Sequence, residues 1–324
     1  MKTILAIHTG GTISMSADEN GEVIPNQENP IASHDVTLDG EVELINDPMF
    51  NLPSPHVTPD VMLQLRDRIL KAEQDGIDGV VITHGTDTLE ETAYFLDLTL
   101  PNRLPVVLTG AMRSSNEIGS DGLYNLQSSV AVAASDDAIG KGVLVVMNDE
   151  IHTARYVTKT HTTNLATFKT PTFGPLGIIS KHKPYFFQEL IKSDSFNIDH
   201  VESGVFLLKA FAGMDGTLFD ALNNGNTKGL IVEGLGSGNL PPATLPALQR
   251  ILDRGIPVIL VSRCYNGMAQ DIYDYQGGGI ELEQMGVSLC RGLNGPKARI
   301  KLIVGISNGL KGARLAQYMS TAIS

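Results

Sequence analysis

Short, uninterrupted runs of apolar and β-branched residues, separated by helix-length stretches, constrain this chain most. The runs fall at residues 4–7, 80–83, 106–109 and 143–147. None alternates polar with apolar, so the strands they predict are covered on both faces, as in a parallel sheet between helices. Between the first two runs lies an amphipathic helix. Thr58 is its expected N-cap, Pro59 its first residue, Val61, Leu65 and Ile69 its apolar stripe, and Gly76 its stop. A second helix is expected over 89–100, after Thr88. A third is expected from Asp121 onward, with Leu123, Leu126 and Val130 facing inward. The βαβ rhythm predicts a mostly parallel sheet with right-handed crossovers.

The rhythm breaks over the polar stretch 191–203, which reads as a linker. It resumes with apolar runs at 205–208, 230–232 and 258–261, and helical stretches at 241–254, 296–303 and 310–322. The expected fold class is therefore α/β, in two domains. A larger N-terminal domain, 1–190, carries a mostly parallel sheet flanked by helices; a smaller C-terminal α/β domain covers 204–324.

Composition excludes several classes of function. With 42% hydrophobic and 19% charged residues, the 324-residue chain has an ordinary globular mixture. A net charge of −12 argues against nucleic acid as a partner, because phosphate backbones are held by clustered Lys and Arg. Cys264 and Cys290 cannot build a disulfide framework and are expected as two buried free thiols. No His/Cys cluster has zinc spacing, so no metal is expected. The longest apolar runs are far too short for a bilayer, so no membrane partner is expected. The opening run ends at His8-Thr9-Gly10-Gly11 and does not read as a signal peptide, which predicts a cytoplasmic protein.

In open parallel sheets, ligands bind beyond the carboxyl ends of the strands. There this chain places Thr9-Gly10-Gly11-Thr12-Ile13-Ser14, then His84-Gly85-Thr86-Asp87-Thr88, then Gly110-Ala111-Met112-Arg113-Ser114-Ser115-Asn116. Glycines let backbone N–H groups aim inward, and such groups stabilise the oxyanion of acyl transfer. Alone, Thr12 reads as a turn residue and Thr88 as a helix cap; three such loops on one edge favour a site. A threonine hydroxyl needs a base before it is a useful nucleophile. His8 and His84 are available, but strand-end histidines more often serve structure. Lys159, in Val157-Thr158-Lys159-Thr160, is the other candidate, with Asp87 to hold it and Thr86 to give up a proton.

Two further patterns are decoys. Gly305-Ile306-Ser307-Asn308-Gly309 matches a nucleophile elbow, but the required downstream histidine is missing, since the last histidine is His200. The expectation there is a helix ending near Gly305 with Ser307 capping the next. Gly234-Leu235-Gly236-Ser237-Gly238-Asn239 has Asn239 where a dinucleotide loop needs its third glycine.

Thr9-Gly10-Gly11-Thr12-Ile13 and His84-Gly85-Thr86-Asp87-Thr88 resemble the two signatures of the bacterial-type L-asparaginase family. The likeness continues through 90–99, Gly110-Ala111-Met112-Arg113, Val157-Thr158-Lys159-Thr160 and Gly236-Ser237-Gly238-Asn239, nearly the whole chain. The resemblance implies hydrolysis of L-asparagine to L-aspartate and ammonia, with weaker action on L-glutamine, and no cofactor. It also implies a flavodoxin-like C-terminal domain. Thr12 would attack the side-chain amide and form an acyl-enzyme; Thr86, Asp87 and Lys159 would form a second triad. Ser54 would hold the substrate α-carboxylate and Asp87 its α-ammonium. Backbone at Thr86 and Ala111 would contact the reacting amide. The family's sites form between subunits of an intimate dimer, usually within a homotetramer, and Asn239 and Asp274 match residues donated by the neighbour.

The chain departs from the pattern in two places. Residues 15–30 contain no tyrosine, where the family carries one beside the nucleophile; Glu22 or another residue of 18–24 is expected to close as a lid instead. Pro55 stands where many members have a substrate-contacting glutamine, and proline offers neither N–H nor amide. The disulfide of some secreted members has no counterpart, which agrees with a cytoplasmic protein. Two alternatives remain at this point. The amidase subunit of a tRNA-dependent amidotransferase would carry an additional N-terminal domain, whereas a non-catalytic two-domain amino-acid-binding protein would use the same clefts.

Overall fold

The computed structural model describes residues 1–26, 29–31, 42–191 and 195–320. They belong to two compact units, Met1–Ser195 and Phe196–Ser324. Residues 192–194 of the expected linker, and the end of the helix expected over 310–322, lie outside the described residues.

The first unit contains β1 (Lys2–His8), β2 (Met15–Ala17), β3 (Val23–Pro25), β4 (Val42–Asp47), α1 (Pro59–Gln74), β5 (Gly79–Thr83), α2 (Leu89–Thr99), β6 (Val106–Thr109) and α3 (Gly122–Ala133). They are followed by β7 (Val143–Met147), β8 (Glu150–Thr153), β9 (Thr158–Lys159), β10 (Phe168–Lys169), β11 (Gly177–Ser180) and β12 (Lys183–Phe186). Its main sheet has eight strands in the order β12-β11-β8-β7-β6-β5-β1-β4. From β7 to β4 neighbouring strands run parallel; β8, β11 and β12 continue the sheet antiparallel. The fold is α/β with a mostly parallel sheet, as the continuous runs predict. Every residue of β5, β6 and β7 is buried, and each buried aliphatic side chain contributes about 1.5–3 kcal/mol before entropy is counted.

Thr58 caps α1 by accepting from the Val61 N–H, and Pro59 opens the helix. Its buried stripe is Met62, Leu65 and Ile69, while Val61 is only half-buried. On α3, Leu126 and Val130 pack on Ile4, Val81, Val107 and Leu144, but Leu123 is 43% exposed, against expectation. The helix approaches closest at Gly122, where an added Cβ would meet Ile13 and Ala111. The inward stripe is therefore 122, 126 and 130, which turns Leu123 outward.

The second unit contains β13 (Val205–Lys209), α4 (Thr217–Leu222), β14 (Gly229–Gly234), α5 (Leu245–Asp253), β15 (Val258–Ser262), α6 (Gly279–Met285), β16 (Ser288–Leu289), α7 (Gly295–Ser307) and α8 (Gly312–Ser320). Its four strands run parallel in sequence order, and Phe219, Leu230, Val232, Leu248, Ile251, Leu260 and Leu282 form its core. Three expectations change. The helix predicted from residue 241 opens as a short 3₁₀ turn and becomes α5 only at Leu245. Ser307 ends α7 rather than capping α8: its hydroxyl donates to Ile303 O (2.8 Å) and accepts from the Glu202 N–H (2.9 Å). Cys290 is buried, with its thiol pushed up to about 11 by burial, but Cys264 is exposed. No helix among the described residues is long and apolar enough to cross a membrane.

Candidate active site

The loops that follow β1, β5 and β6 leave three adjacent strands at their carboxyl ends. Backbone ladders continue into them: the Thr9 N–H donates to Thr83 O (3.1 Å) and the His84 N–H to Thr109 O (2.8 Å). The first and second loops touch main chain to main chain. Gly11 has φ 84° and ψ 177°, a region open to glycine alone, and a Cβ on it would lie 2.2 Å from Gly85 Cα. A Cβ on Gly85 would in turn lie 2.8 Å from Ser54 Oγ. Glycine at both positions thus brings Thr12, Thr86 and Ser54 onto neighbouring backbone.

Lys159 reaches this group from β9, which among the described residues pairs with β10 alone. Its ammonium donates to Thr86 Oγ1 (2.9 Å) and Asp87 Oδ1 (2.7 Å). Thr86 is buried, Lys159 half-buried, and the Asp87 side chain 60% exposed, so one end of the ion pair faces solvent. The buried Ser54 hydroxyl accepts from the Asp87 N–H (3.2 Å), which leaves its proton free to donate. Thr88 is the N-cap residue of α2, yet its hydroxyl donates to Ser54 O (2.8 Å) and accepts from no helix N–H.

Thr12 is half-buried, and its hydroxyl makes no hydrogen bond among the described residues. In the third loop, the Met112 and Arg113 N–H groups donate to the Asp121 carboxylate (3.1 Å each) and Asn125 Nδ2 donates to Gly110 O (3.0 Å). Ala111, between them, is buried. The structure therefore brings Ser54, Thr86, Asp87 and Lys159 into contact, with Thr12 and Ala111 on the flanking loops. Asn239 and Asp274 belong to the second unit. Asn239 closes a turn with Leu235 and buries an Oδ1 without a hydrogen-bond partner among the described residues; Asp274 is exposed.

Both strand-end histidines serve structure. His84 bonds Gly85 O (2.8 Å) and Thr92 Oγ1 (3.0 Å), and complete burial lowers its pKa to about 4. His8 bonds Thr83 Oγ1 (2.9 Å) and Asn46 Oδ1 (3.0 Å), and burial lowers its pKa also. The segment after Thr12 forms the β2–β3 hairpin, held to the third loop where Asn116 Oδ1 accepts from the Ala17 N–H and its amide donates to Ala17 O (2.8 Å each). Glu22 stands exposed at the hairpin turn, its N–H donating to Asp18 Oδ1 (2.8 Å). Residues 27–28 of the tyrosine-free segment 15–30 lie outside the described residues. Pro55 is exposed beside Ser54.

One residue of the neighbourhood was given no role in the sequence reading. Glu90, buried on the first turn of α2, accepts from Thr158 Oγ1 (2.9 Å) and from the Lys159 N–H (3.3 Å). In sequence it looks like an ordinary acid at a helix N-terminus.

Comparison with known proteins gives the family. The family described as "Asparaginase, N-terminal" matches residues 3–192, and "Glutaminase/Asparaginase C-terminal domain" matches 204–319. An L-asparaginase of Bacillus licheniformis is 36% identical over 97% of this chain and 98% of its own. A probable L-asparaginase of Deinococcus radiodurans is 40% identical over 94% and 92%. The crystal structure of a probable cytoplasmic L-asparaginase from Campylobacter jejuni superposes with a TM-score of 0.89 at 32% identity, covering 98% of this chain and 99% of that one.

Proposed function

The chain belongs to the asparaginase family of amidohydrolases, and on that premise we propose that it hydrolyses L-asparagine to L-aspartate and ammonia, with minor action on L-glutamine. The observation that carries the reading is the Lys159 ammonium held between Thr86 Oγ1 and Asp87 Oδ1 beside the glycine turn that bears Thr12. The Thr12 hydroxyl attacks the side-chain amide carbon. The tetrahedral intermediate expels ammonia and leaves an ester on Thr12, which water then hydrolyses. Thr86, Asp87 and Lys159 relay the protons. Backbone at Thr86 and Ala111 holds the reacting amide.

Recognition follows from charge. The Ser54 hydroxyl retains a proton for the α-carboxylate, and the outward oxygen of Asp87 takes the α-ammonium. Asn239, with its unpartnered Oδ1, and Asp274 are donated by a neighbouring subunit of a homotetramer built from intimate dimers. Glu22 closes the hairpin over the site in place of a tyrosine. The location is cytoplasmic, and no metal or organic cofactor takes part.

Ammonia release from L-asparagine tests the reading, with Thr12→Ala as control. Turnover lost in the variant supports it; saturable asparagine binding without ammonia in the unaltered protein supports an amino-acid-binding protein instead. Equal turnover in the two proteins removes Thr12 from the chemistry.

A further inference from the structure

The short strand that carries Lys159 is held by its partner strand and by side chains around it. It is two residues long and lies outside the eight-stranded sheet, so no ladder of that sheet sets the height of the lysine above Thr86 and Asp87. Its partner β10 is anchored on the far side, where Lys169 Nζ meets Glu150 Oε2 (2.9 Å). On the near side one tie is Glu90. One carboxylate oxygen, Oε1, receives both the Thr158 hydroxyl and the Lys159 N–H, and the carboxylate is itself buried.

Glu90 also lies on the first turn of the helix that Thr86, Asp87 and Thr88 lead into. A closed ring results. Main chain runs from Thr86 to Glu90; the Glu90 carboxylate grips the backbone of Lys159; the Lys159 side chain returns to Thr86 and Asp87. A free lysine side chain samples many rotamers, and fixing both ends of it confines the ammonium to one position.

We infer that Glu90 is a positioning residue for the amide hydrolysis, setting where the Lys159 ammonium stands through Thr158 Oγ1 and the Lys159 N–H. The inference rests on the proposed chemistry of Thr86, Asp87 and Lys159. Glu90 touches neither substrate nor reacting atoms in that scheme. Its contribution is geometric, and misplacement of a catalytic group by 1 Å can slow a reaction by about 100-fold.

The test compares Glu90→Ala, Glu90→Gln and Thr158→Val with the unaltered protein in ammonia release. Glu90→Ala should lower kcat by about 10- to 100-fold with KM changed less than about 3-fold, while Glu90→Gln, which keeps an acceptor oxygen, recovers most of kcat. The double variant Glu90→Ala/Thr158→Val should lose little more than Glu90→Ala alone, because the two share one contact. A second readout is independent of turnover: the rate at which an amine-reactive ester labels Lys159, read by peptide mass spectrometry. Labelling should rise at least about 3-fold in Glu90→Ala and stay near the unaltered rate in Glu90→Gln, since release of the lysine from its clamp exposes the amine. Unchanged kcat and unchanged labelling in a folded Glu90→Ala protein overturn the inference. So does a loss that Glu90→Gln shares in full, which would mark a role for the charge. If the unaltered protein releases no ammonia, the functional reading fails, and the labelling rates alone decide whether Glu90 holds the lysine.

Discussion

The backbones of Gly11 and Gly85 touch: a Cβ on Gly11 would fall 2.2 Å from Gly85 Cα and 2.4 Å from its nitrogen. Gly11→Ala should therefore separate the loop of Thr12 from that of Thr86 and strain a backbone at φ 84°. We expect ammonia release to fall by more than about 100-fold, a 1 Å displacement being enough for that, with a stability loss of about 1–3 kcal/mol. Turnover and urea unfolding of the same preparation check both figures. An active Gly11→Ala protein would mean the two loops part without consequence.

Lys159→Met removes the ammonium but keeps the length of the side chain. Because the Asp87 carboxylate is largely solvent-exposed, the ion pair contributes little to folding, and unfolding stability should move by less than about 1 kcal/mol. Turnover should fall by more than about 1000-fold, the scale seen when one member of a proton-relaying group is removed. Steady-state kinetics beside thermal melts separates the two effects, and a stability loss as large as the activity loss would make the lysine a structural residue.

His84 gives a pH signature in folding. Burial holds its pKa at about 4, against 6.5 for a free imidazole. Below 6.5 the unfolded chain takes up a proton that the folded protein refuses until about 4. Stability is thus complete above pH 6.5 and falls between 6.5 and 4, with a slope of at most about 1.4 kcal/mol per pH unit from this group. Urea midpoints across that range should slope less in His84→Gln. Parallel slopes would show that the imidazole already takes up its proton in the folded protein.

Glu150 acts in a lower window. The His152 hydrogen bond, with Lys169 beside it, lowers its pKa from 4.5 to about 2. The folded protein then keeps the carboxylate ionised where the unfolded chain protonates it, so this stabilisation is full above 4.5 and fades toward 2. Denaturant titrations between pH 5 and 2 should show a shallower decline for Glu150→Gln. No difference from the unaltered protein there would remove the ion pair from the acid response.

Much of this molecule could be read from its sequence because its strands are buried on both faces. The runs at 80–83 and 106–109 carry no polar side chain facing water, and β5 and β6 lie there. The edges gave no such signal. β4 mixes exposed with half-buried residues and contains Glu43 and Asn46, and the β11–β12 hairpin alternates, so neither forms an apolar run. Leu123 misled because its spacing from Leu126 fits an apolar stripe, while a glycine one position earlier makes the closest approach. In the site, the meeting of Thr86, Asp87 and Lys159 was legible through the resemblance of their segments to the family's. Glu90 was not, because its partners lie 68 and 69 residues away and only the folded chain brings them near.

The three loops hang from β6, β5 and β1, consecutive members of one ladder. Strand spacing is nearly invariant in proteins, about 4.8 Å, so the sheet acts as a ruler on which the reactive loops are mounted. Altered chemistry on this frame would have to come from exchanging side chains on the mounts, since changing the intervals means adding or removing a whole strand.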